Sequence, residues 1–252
     1  MTAPALPRLG GLNPVAVRLE IRRVLRNRRT VLFTVAMPAL FLLSFGLPNG
    51  GRQAGRIAVL PLTVINMGVY AAMLAATSCG AGVALERGVG WTRQLRLTPL
   101  LPIAYVAVKV VTAMAIALLA VVVQYLLGAA SGVRMPLRVW LLSGLIGWLG
   151  SAAFAALGLF VGYLLPSENV MQFVGPALAL LALLGGLFVP LPLLPDGVRT
   201  VAALTPLYGV GQLARAPLTG EVSLGAVANA VLWTAAFTVG AAWLHRRDTV
   251  RA

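Results

Sequence analysis

Six long apolar runs dominate this chain of 252 residues. A helix needs about 20 apolar residues to cross a bilayer core roughly 30 Å thick. The chain is 60% hydrophobic and 10% charged, so a soluble fold would lack the polar side chains to cover its surface. The sequence therefore predicts an all-α integral membrane protein with six transmembrane helices, over residues 31–47, 57–85, 103–130, 139–165, 170–189 and 224–244.

The arginines between these runs predict how the helices are oriented. Seven lie before the first run. Six more lie on the same side of the membrane, in residues 86–102 and at the C-terminal end. The opposite side carries only six. The positive-inside rule then places both termini in the cytoplasm. The net charge of +14 is interpreted as a topology signal, and nucleic acid is not expected as a partner, because the arginines lie between apolar runs.

The segment before the first run predicts an amphipathic helix on the membrane surface. Arg18, Arg22 and Arg26 share one helical face, while Val17 and Ile21 lie on another. A generic topology anchor and a docking site for a partner are both open roles for this helix. The predicted organisation is a cytoplasmic segment over residues 1–30, the six-span domain over 31–244 and a cytoplasmic tail over 245–252.

Small residues recur at every fourth position in two of the runs. In lipid, helices associate through close packing of small residues and through polar contacts, because no hydrophobic force drives them together. The Gly158-x-x-x-Gly162 pair adds a third such feature. The sequence therefore predicts a tight helix bundle. The two stripes are Gly68, Ala72, Ala76, Gly80 and Ala84, and Ala226, Ala230, Thr234, Thr238 and Ala242.

Several kinds of chemistry are missing from the sequence. Lys109 is the single lysine and follows Val108, so the chain has no phosphate-binding loop of its own. With one histidine, His245, we expect no metal site and no catalytic residue. The six carboxylates fall in loops or at the ends of runs, whereas proton-coupled carriers place such groups in the membrane interior. The energy for transport is therefore expected from another polypeptide.

A few polar side chains lie inside the apolar runs. Asn66, Gln124 and Asn229 are interpreted either as hydrogen-bonding groups between helices or as contacts along a substrate path. Lys109 lies near the cytoplasmic end of its run, where its side chain is expected to reach the membrane surface.

The segment over residues 86–100 resembles the cytoplasmic loop of ABC-2 type transporter permeases. The family pattern is roughly E-R-E-x-G-T-x-x-Q-L-x-x-T-P-L. It is matched by Glu86, Arg87, Gly90, Gln94, Leu95, Thr98, Pro99 and Leu100. Gly88 and Trp91 depart from the pattern, and the form around Trp91 resembles an actinobacterial branch associated with drug or antibiotic export. Matches around Pro38, at Lys109 and over residues 186–208 extend the resemblance along most of the chain.

This resemblance implies a partner and a coupling loop. In similar permeases, the loop forms a helix that inserts into a cleft of a separate ATP-binding subunit, which binds ATP and Mg²⁺. Leu95 and Trp91 would supply apolar contacts, with Glu86, Arg87 and Arg93 as a polar rim. A loop that only sets topology is the alternative. The resemblance also implies a helical re-entrant hairpin on the outer side, between spans five and six, with Pro190, Pro195 and Pro206 within it. We expect this hairpin to gate the exit.

The sequence and the resemblance together predict a transport subunit in a bacterial plasma membrane. It would work as a dimer with a second permease copy, exporting a hydrophobic small molecule, antibiotic or lipid-like substrate, and would bind no cofactor itself. An ATP-independent secondary carrier or channel is the alternative, and a structural or immunity-type membrane protein is a third hypothesis.

Overall fold

The computed structural model describes residues 14–54, 57–91, 94, 102–189, 191 and 195–251. These residues are almost entirely helical, which confirms the predicted all-α class. A short antiparallel pair of strands, β1 Gln53–Ala54 and β2 Ile57–Ala58, precedes the third helix. The helices are α1 Pro14–Arg26, α2 Arg28–Phe41, α3 Val59–Gly88, α4 Pro102–Ala130, α5 Leu137–Leu164, α6 Val170–Leu184, α7 Asp196–Leu204, α8 Pro206–Thr219 and α9 Leu224–Arg251.

The first two helices meet at a bend of 60° around Asn27. Helix α1 is amphipathic as predicted, because Ile21 and Val24 pack against the core while Arg18 and Arg22 are exposed. Helix α2 contains Pro38 and continues into one π-helical turn over Leu42–Gly46. A proline within a helix and a π-helical turn both interrupt regular hydrogen bonding, so this entry to the bundle is irregular.

Helix α3 lies at the centre of the bundle. It packs against α2, α4, α5, α6 and α8, and nearly all its residues between Val64 and Thr77 are buried. A helix that is apolar all round must be surrounded by other helices or by lipid. The sequence of α3 therefore suits a central position, whereas the outer helix α9 is mostly exposed.

Glycines allow α3 and α5 to approach each other closely. A Cβ atom added at Gly80 would lie 2.7 Å from the carbonyl oxygen of Ala155, and one added at Gly162 would lie 3.0 Å from the carbonyl oxygen of Gly80. Both helix backbones would have to separate to make room for such an atom. The close packing that the small residues predict is confirmed at this contact.

Four of the described helices are long and apolar enough to cross a membrane. They are Val59–Gly88, Ile103–Ala130, Leu137–Leu164 and Leu224–Arg247, and the bent pair formed by α1 and α2 would make a fifth. Helix α6 has 15 residues, about 22 Å at roughly 1.5 Å per residue. It ends at Leu184 and is followed by Gly185 and by Gly186, which adopts a φ of 72°, so the predicted run over 170–189 extends beyond the helix. The count of six spans stays a prediction.

Two short helices follow α6 in the segment where the re-entrant hairpin is expected, and the hairpin itself stays a prediction. Helix α7 begins after Pro195, and α8 begins at Pro206, a position that suits proline because no intrahelical partner is needed there. Both are too short to cross a bilayer. Helix α9 then runs to Arg251, so the helix continues through the predicted tail over residues 245–251.

Candidate coupling site and its charge cluster

Four charged side chains meet where α1, α3 and α4 converge. The Nζ atom of Lys109 on α4 lies 2.5 Å from Oε1 of Glu20 on α1, and it also forms an ion pair with Glu86 on α3. Arg23 of α1 donates to the Glu86 carboxylate and lies 3.4 Å from Glu20. The hydroxyl of Tyr105 donates to the second oxygen of Glu86. We call Glu20, Arg23, Glu86 and Lys109 the charge cluster.

The local structure explains why these side chains meet. Glu86 lies in the last turn of α3 and Lys109 in the third turn of α4, and the two helices run antiparallel through the bundle. The bend at Asn27 places α1 against α4, which brings Glu20 and Arg23 to the same place. We call this end of the bundle, where α3 ends and α4 begins, the coupling end.

The charge cluster is buried and balanced. Glu86 and Lys109 are 5% and 4% exposed, and Arg23 is about half exposed at the edge. Burial lowers the pKa of Arg23, but the attraction and hydrogen bonding of Glu86 together with the attraction of Glu20 outweigh burial, so the net pKa shift is upward. The two acids and two bases have no net charge. Their mutual attraction offsets the cost of removing them from water only when the charged groups are close and well oriented for hydrogen bonding. The cluster therefore joins three helices at one fixed point.

Burial changes the interpretation of two side chains at this end of the bundle. Lys109 does not extend out of the bundle as expected, because its ammonium group is held inside by two carboxylates. The Glu86 carboxylate points into the chain, where Lys109, Arg23 and Tyr105 hold it. Its three donors fix the end of α3, and its part in a rim for a partner stays a prediction.

Arg87 also turns toward the chain. Its guanidinium donates to the carbonyl oxygens of Gly162 and Tyr163, at 3.1 and 2.9 Å, and lies 5.7 Å from the centre of the Tyr163 ring. These carbonyls belong to the last turn of α5, where the helix dipole favours a positive charge. Arg87 therefore fastens the end of α3 to the end of α5.

The residues directly after α3 form an exposed surface. Val89 is 78% exposed, Trp91 is 42% exposed and Gln94 is also exposed. Gly90 has a φ of 72°, a left-handed conformation that ends the helix and that glycine adopts without strain. Trp91 and Val89 line a cavity of about 540 Å³ with Ala16 and Leu19 of α1 and with the charge cluster. We call Val89, Trp91 and Gln94 the docking surface.

The remaining loop residues of the predicted site lie outside the described residues. They are Arg93, Leu95, Thr98 and Pro99. Their coupling roles stay predictions, as does the role of Gln94.

A second polar site lies at the other end of α3. Asn66 is twenty residues from Glu86 along the helix, which is about 30 Å at roughly 1.5 Å per residue. Its amide nitrogen donates to the carbonyl oxygens of Gly186 and Leu187, at 3.4 and 3.2 Å, and its oxygen accepts from Arg215 of α8 at 3.1 Å. We call this end of the bundle, where α7 and α8 lie, the hairpin end.

Arg215 is a residue whose burial the sequence analysis missed. It is 7% exposed and also donates to the carbonyl oxygen of Gly186, at 3.1 Å, close to the C-terminal end of α6. Its position between apolar runs predicts only a topology signal. The helical spacing of Arg215 could have indicated its burial. Leu207, Gly211 and Arg215 lie four residues apart and therefore share one face of α8, and this face is buried.

Asn229 connects the hairpin to α9. Its oxygen accepts from the backbone N–H of Gly209 on α8 at 3.1 Å, and its nitrogen donates to the carbonyl oxygen of Ala203 on α7 at 3.0 Å. Gly209 permits this contact, because an added Cβ atom would lie 2.5 Å from the carbonyl oxygen of Ala226. Pro195 precedes α7 and Pro206 begins α8, whereas Pro190 lies outside the described residues.

Gln124 differs from the two asparagines. It is 2% exposed, and its amide nitrogen has no hydrogen-bond partner among the described residues. The same holds for the hydroxyls of Thr77 and Thr112, again within the described ranges. Of the three predicted polar contacts along a substrate path, Asn66 and Asn229 make hydrogen bonds between elements, and Gln124 keeps an open donor.

The long apolar helices define a multi-pass membrane protein. The sequence profile of the ABC-2 type transporter family matches residues 15–218, and the chain belongs to this family. It is 29% identical over 194 residues to a Bacillus subtilis (strain 168) protein, YvfS, whose name describes it as a transport permease; the match covers 76% of this chain and 79% of that protein. The chain is thus a transport permease subunit, and its family implies an ATP-binding partner.

Proposed function

We propose that this chain is the membrane subunit of an ATP-driven exporter in a bacterial plasma membrane. A separate subunit would bind ATP and Mg²⁺, and two copies of this chain would form the transport unit as a homodimer with both termini in the cytoplasm. The cargo would be a hydrophobic small molecule, an antibiotic or a lipid-like compound. A role in efflux and antibiotic resistance follows from this cargo class.

The observation that carries this proposal is the link between the docking surface and the charge cluster. Trp91 and Val89 offer exposed apolar contacts to a partner, and aromatic anchors of this kind dominate the energy of many interfaces. Five residues before Trp91, Glu86 is bonded to Lys109 of α4 and Arg23 of α1. A force applied at the docking surface would therefore reach three helices directly.

The positions of the carboxylates support an external energy source. Glu20 and Glu86 lie at the coupling end, and Glu168, Asp196 and Glu221 are exposed outside the long helices. Carriers driven by protons place acidic groups along the pathway inside the membrane. Glu86 lies in the last turn of a candidate span and is bonded to Lys109 and Arg23, which favours a structural role over proton transfer.

The hairpin end supports the proposed gate. Arg215 and Asn66 connect α8 to α3 and to the end of α6, and Asn229 connects α7 and α8 to α9. Movement of α3 would therefore act directly on the hairpin. Because Asn66 and Asn229 are engaged in these bonds, few polar groups are left for cargo, which favours a hydrophobic substrate.

Copurification from native membranes tests the proposal. We expect a tagged chain to retain a P-loop ATPase in stoichiometric amount, and Trp91→Ala or Val89→Asp to lose most of it. Trp243→Ala is the matched control, because Trp243 is exposed at the same end but belongs to α9. Glu86→Gln is expected to keep the ATPase bound while weakening its stimulation by substrate, because Glu86 is buried. Absence of any ATPase in mild detergent would contradict the proposal.

An ATP-independent secondary carrier or channel is the second candidate function. Its support is the open donor of Gln124 together with the unpartnered hydroxyls of Thr77 and Thr112 within the described residues, because unpaired buried polar groups are uncommon. Transport by reconstituted chain without any ATPase, abolished by Gln124→Leu, would favour this function over the first.

A further inference from the structure

A groove lies at the coupling end and is lined by a different set of α4 residues from the cavity beside the docking surface. Three helices line it: α4 through Val106 and Val110, α5 through Ala156 and Leu159, and α9. Its volume of about 670 Å³ falls within the range of roughly 300–1,000 Å³ that ligand pockets occupy. We call it the lateral groove.

Small side chains on α9 create this groove. Thr234, Thr238, Ala241 and Ala242 face α5 without filling the space between the helices. Ala241 is buried in a small apolar cluster with Leu159, whereas Thr238 and Ala242 are exposed. The groove is therefore apolar along its length and open to the outside of the bundle, where lipid surrounds a membrane protein.

One end of the lateral groove is basic. His245 and Arg246 line it there, next to Tyr163, whose ring centre lies 5.2 Å from that of His245. The following residue, Arg247, stacks on Trp243 at 3.9 Å and does not line the groove. A long apolar groove with a positive group at one end is complementary to a molecule with acyl chains and an anionic headgroup.

We propose that the lateral groove binds an anionic phospholipid from the leaflet at the coupling end. An acyl chain would lie along Val106, Ala156 and Thr238, and the headgroup phosphate would bind at Arg246. Charge complementarity favours this occupant, because an uncharged apolar cargo would gain nothing from the basic end formed by His245 and Arg246.

The bound lipid would also act on the coupling end. Tyr163 contacts both His245 of the groove and Arg87 at the end of α3. A lipid that holds α9 against α5 would stabilise this contact and, through it, the helix end that carries the docking surface. The proposal concerns lipid binding by the chain itself, so its test needs no ATPase and can fail independently of the proposed transport function.

Lipid retention by the purified full-length chain tests this site. The chain is equilibrated with equal amounts of phosphatidylglycerol and phosphatidylcholine in mild detergent, and the retained lipids are quantified by mass spectrometry. We expect phosphatidylglycerol to be preferred, and Arg246→Gln to lower the preference by about fivefold, as one basic residue near a membrane surface contributes. Arg247→Gln is the matched control and should keep the wild-type preference.

A variant that fills the lateral groove tests the apolar contribution to lipid binding separately from the contribution of the Arg246 charge. Thr238→Phe should lower retention of both lipids, and Ala242→Phe serves if the first variant does not give a folded, monodisperse protein. Equal retention of the two lipids by the wild type, or equal effects of Arg246→Gln and Arg247→Gln, would overturn the proposal. Disulfide crosslinking of a Thr238→Cys variant to a second copy would also overturn it.

Discussion

Lys109 of α4 and Glu86 of α3 form an ion pair with both side chains buried, at the end of the bundle from which the docking surface extends. The pair joins the central helix to its neighbour across the segment over residues 89–101. Arg23 and Glu20 extend the contact to α1. The helix that the sequence predicts as a surface anchor is therefore attached directly to the central helix.

Breaking this ion pair on one side should destabilise the protein. Lys109→Met leaves Glu86 with Arg23 and Tyr105 but without its buried cation, and the loss of one partner of a buried pair costs about 3–5 kcal/mol. The double variant with Glu86→Gln should recover most of this loss, because it removes the uncompensated charge. SDS-induced unfolding in mixed micelles measures the free energy of unfolding of the single and the double variant.

The exposed pair of Asp196 and Arg199 provides the control for this measurement. Its atoms are 2.9 Å apart, but both side chains are exposed, so Arg199→Gln should change the free energy of unfolding by less than about 1 kcal/mol. An effect of Lys109→Met as small as that of Arg199→Gln would show that the charge cluster does not hold the helices together.

The close contact between α3 and α5 predicts opposite outcomes for two glycines of one helix. Gly80→Ala places a methyl group against the backbone of α5 and should cost about 1–3 kcal/mol, the usual range for overpacking. Gly82→Ala meets nothing within 4 Å and should be neutral or stabilising. Unfolding of the two variants under the same conditions makes the comparison, and equal destabilisation would contradict this helix contact.

Local hydropathy predicted the long helices well. The runs over 103–130 and 139–165 agree with α4 and α5 within two residues, because a long apolar segment in lipid must satisfy its own backbone by forming a helix. The first and fifth runs agree less closely. Pro38 and the π-helical turn alter the first, and Gly185 and Gly186 end α6 early. Apolar character alone does not show where a helix stops.

The contacts between distant residues were beyond the sequence analysis. Glu86 matched the family loop, but the pattern does not show that its carboxylate faces Lys109 and Arg23. Arg215 resembled an ordinary surface arginine, because its partner Asn66 is 149 residues away in the chain. Burial of a charged residue depends on which helices become neighbours, and one sequence does not determine that.

Arg215 and Asn66 should act as one unit at the hairpin end. A hydrogen bond from a charged group contributes about 1.5–3 kcal/mol, so Arg215→Met should loosen α8 from α3 and α6. Hydrogen–deuterium exchange should rise in α8 while α5 stays protected. Asn66→Ala should give a similar pattern, and the double variant should add little, whereas fully additive effects would show that the two residues act separately. Arg138→Gln, exposed at the start of α5, is the control.

Labelling of the hairpin tests the proposed gate. In a background with Cys79→Ala, a cysteine at Val201 should react with a polar maleimide in every state, because Val201 is 54% exposed. A cysteine at Ala202, which is fully buried, should react only when ATP binding to the partner subunit opens the exit. Identical labelling of Ala202→Cys with and without ATP would contradict gating by α7.

The most direct test of the account is photocrosslinking from the docking surface. A photoreactive phenylalanine analogue placed at Trp91 should crosslink the chain to a P-loop ATPase in native membranes, and one placed at the exposed Trp243 should not. The account predicts this difference and its loss when Val89→Asp is added. Crosslinks from position 91 only to lipid or to this chain itself would contradict the claim that the segment after α3 receives the energy of ATP from a separate subunit.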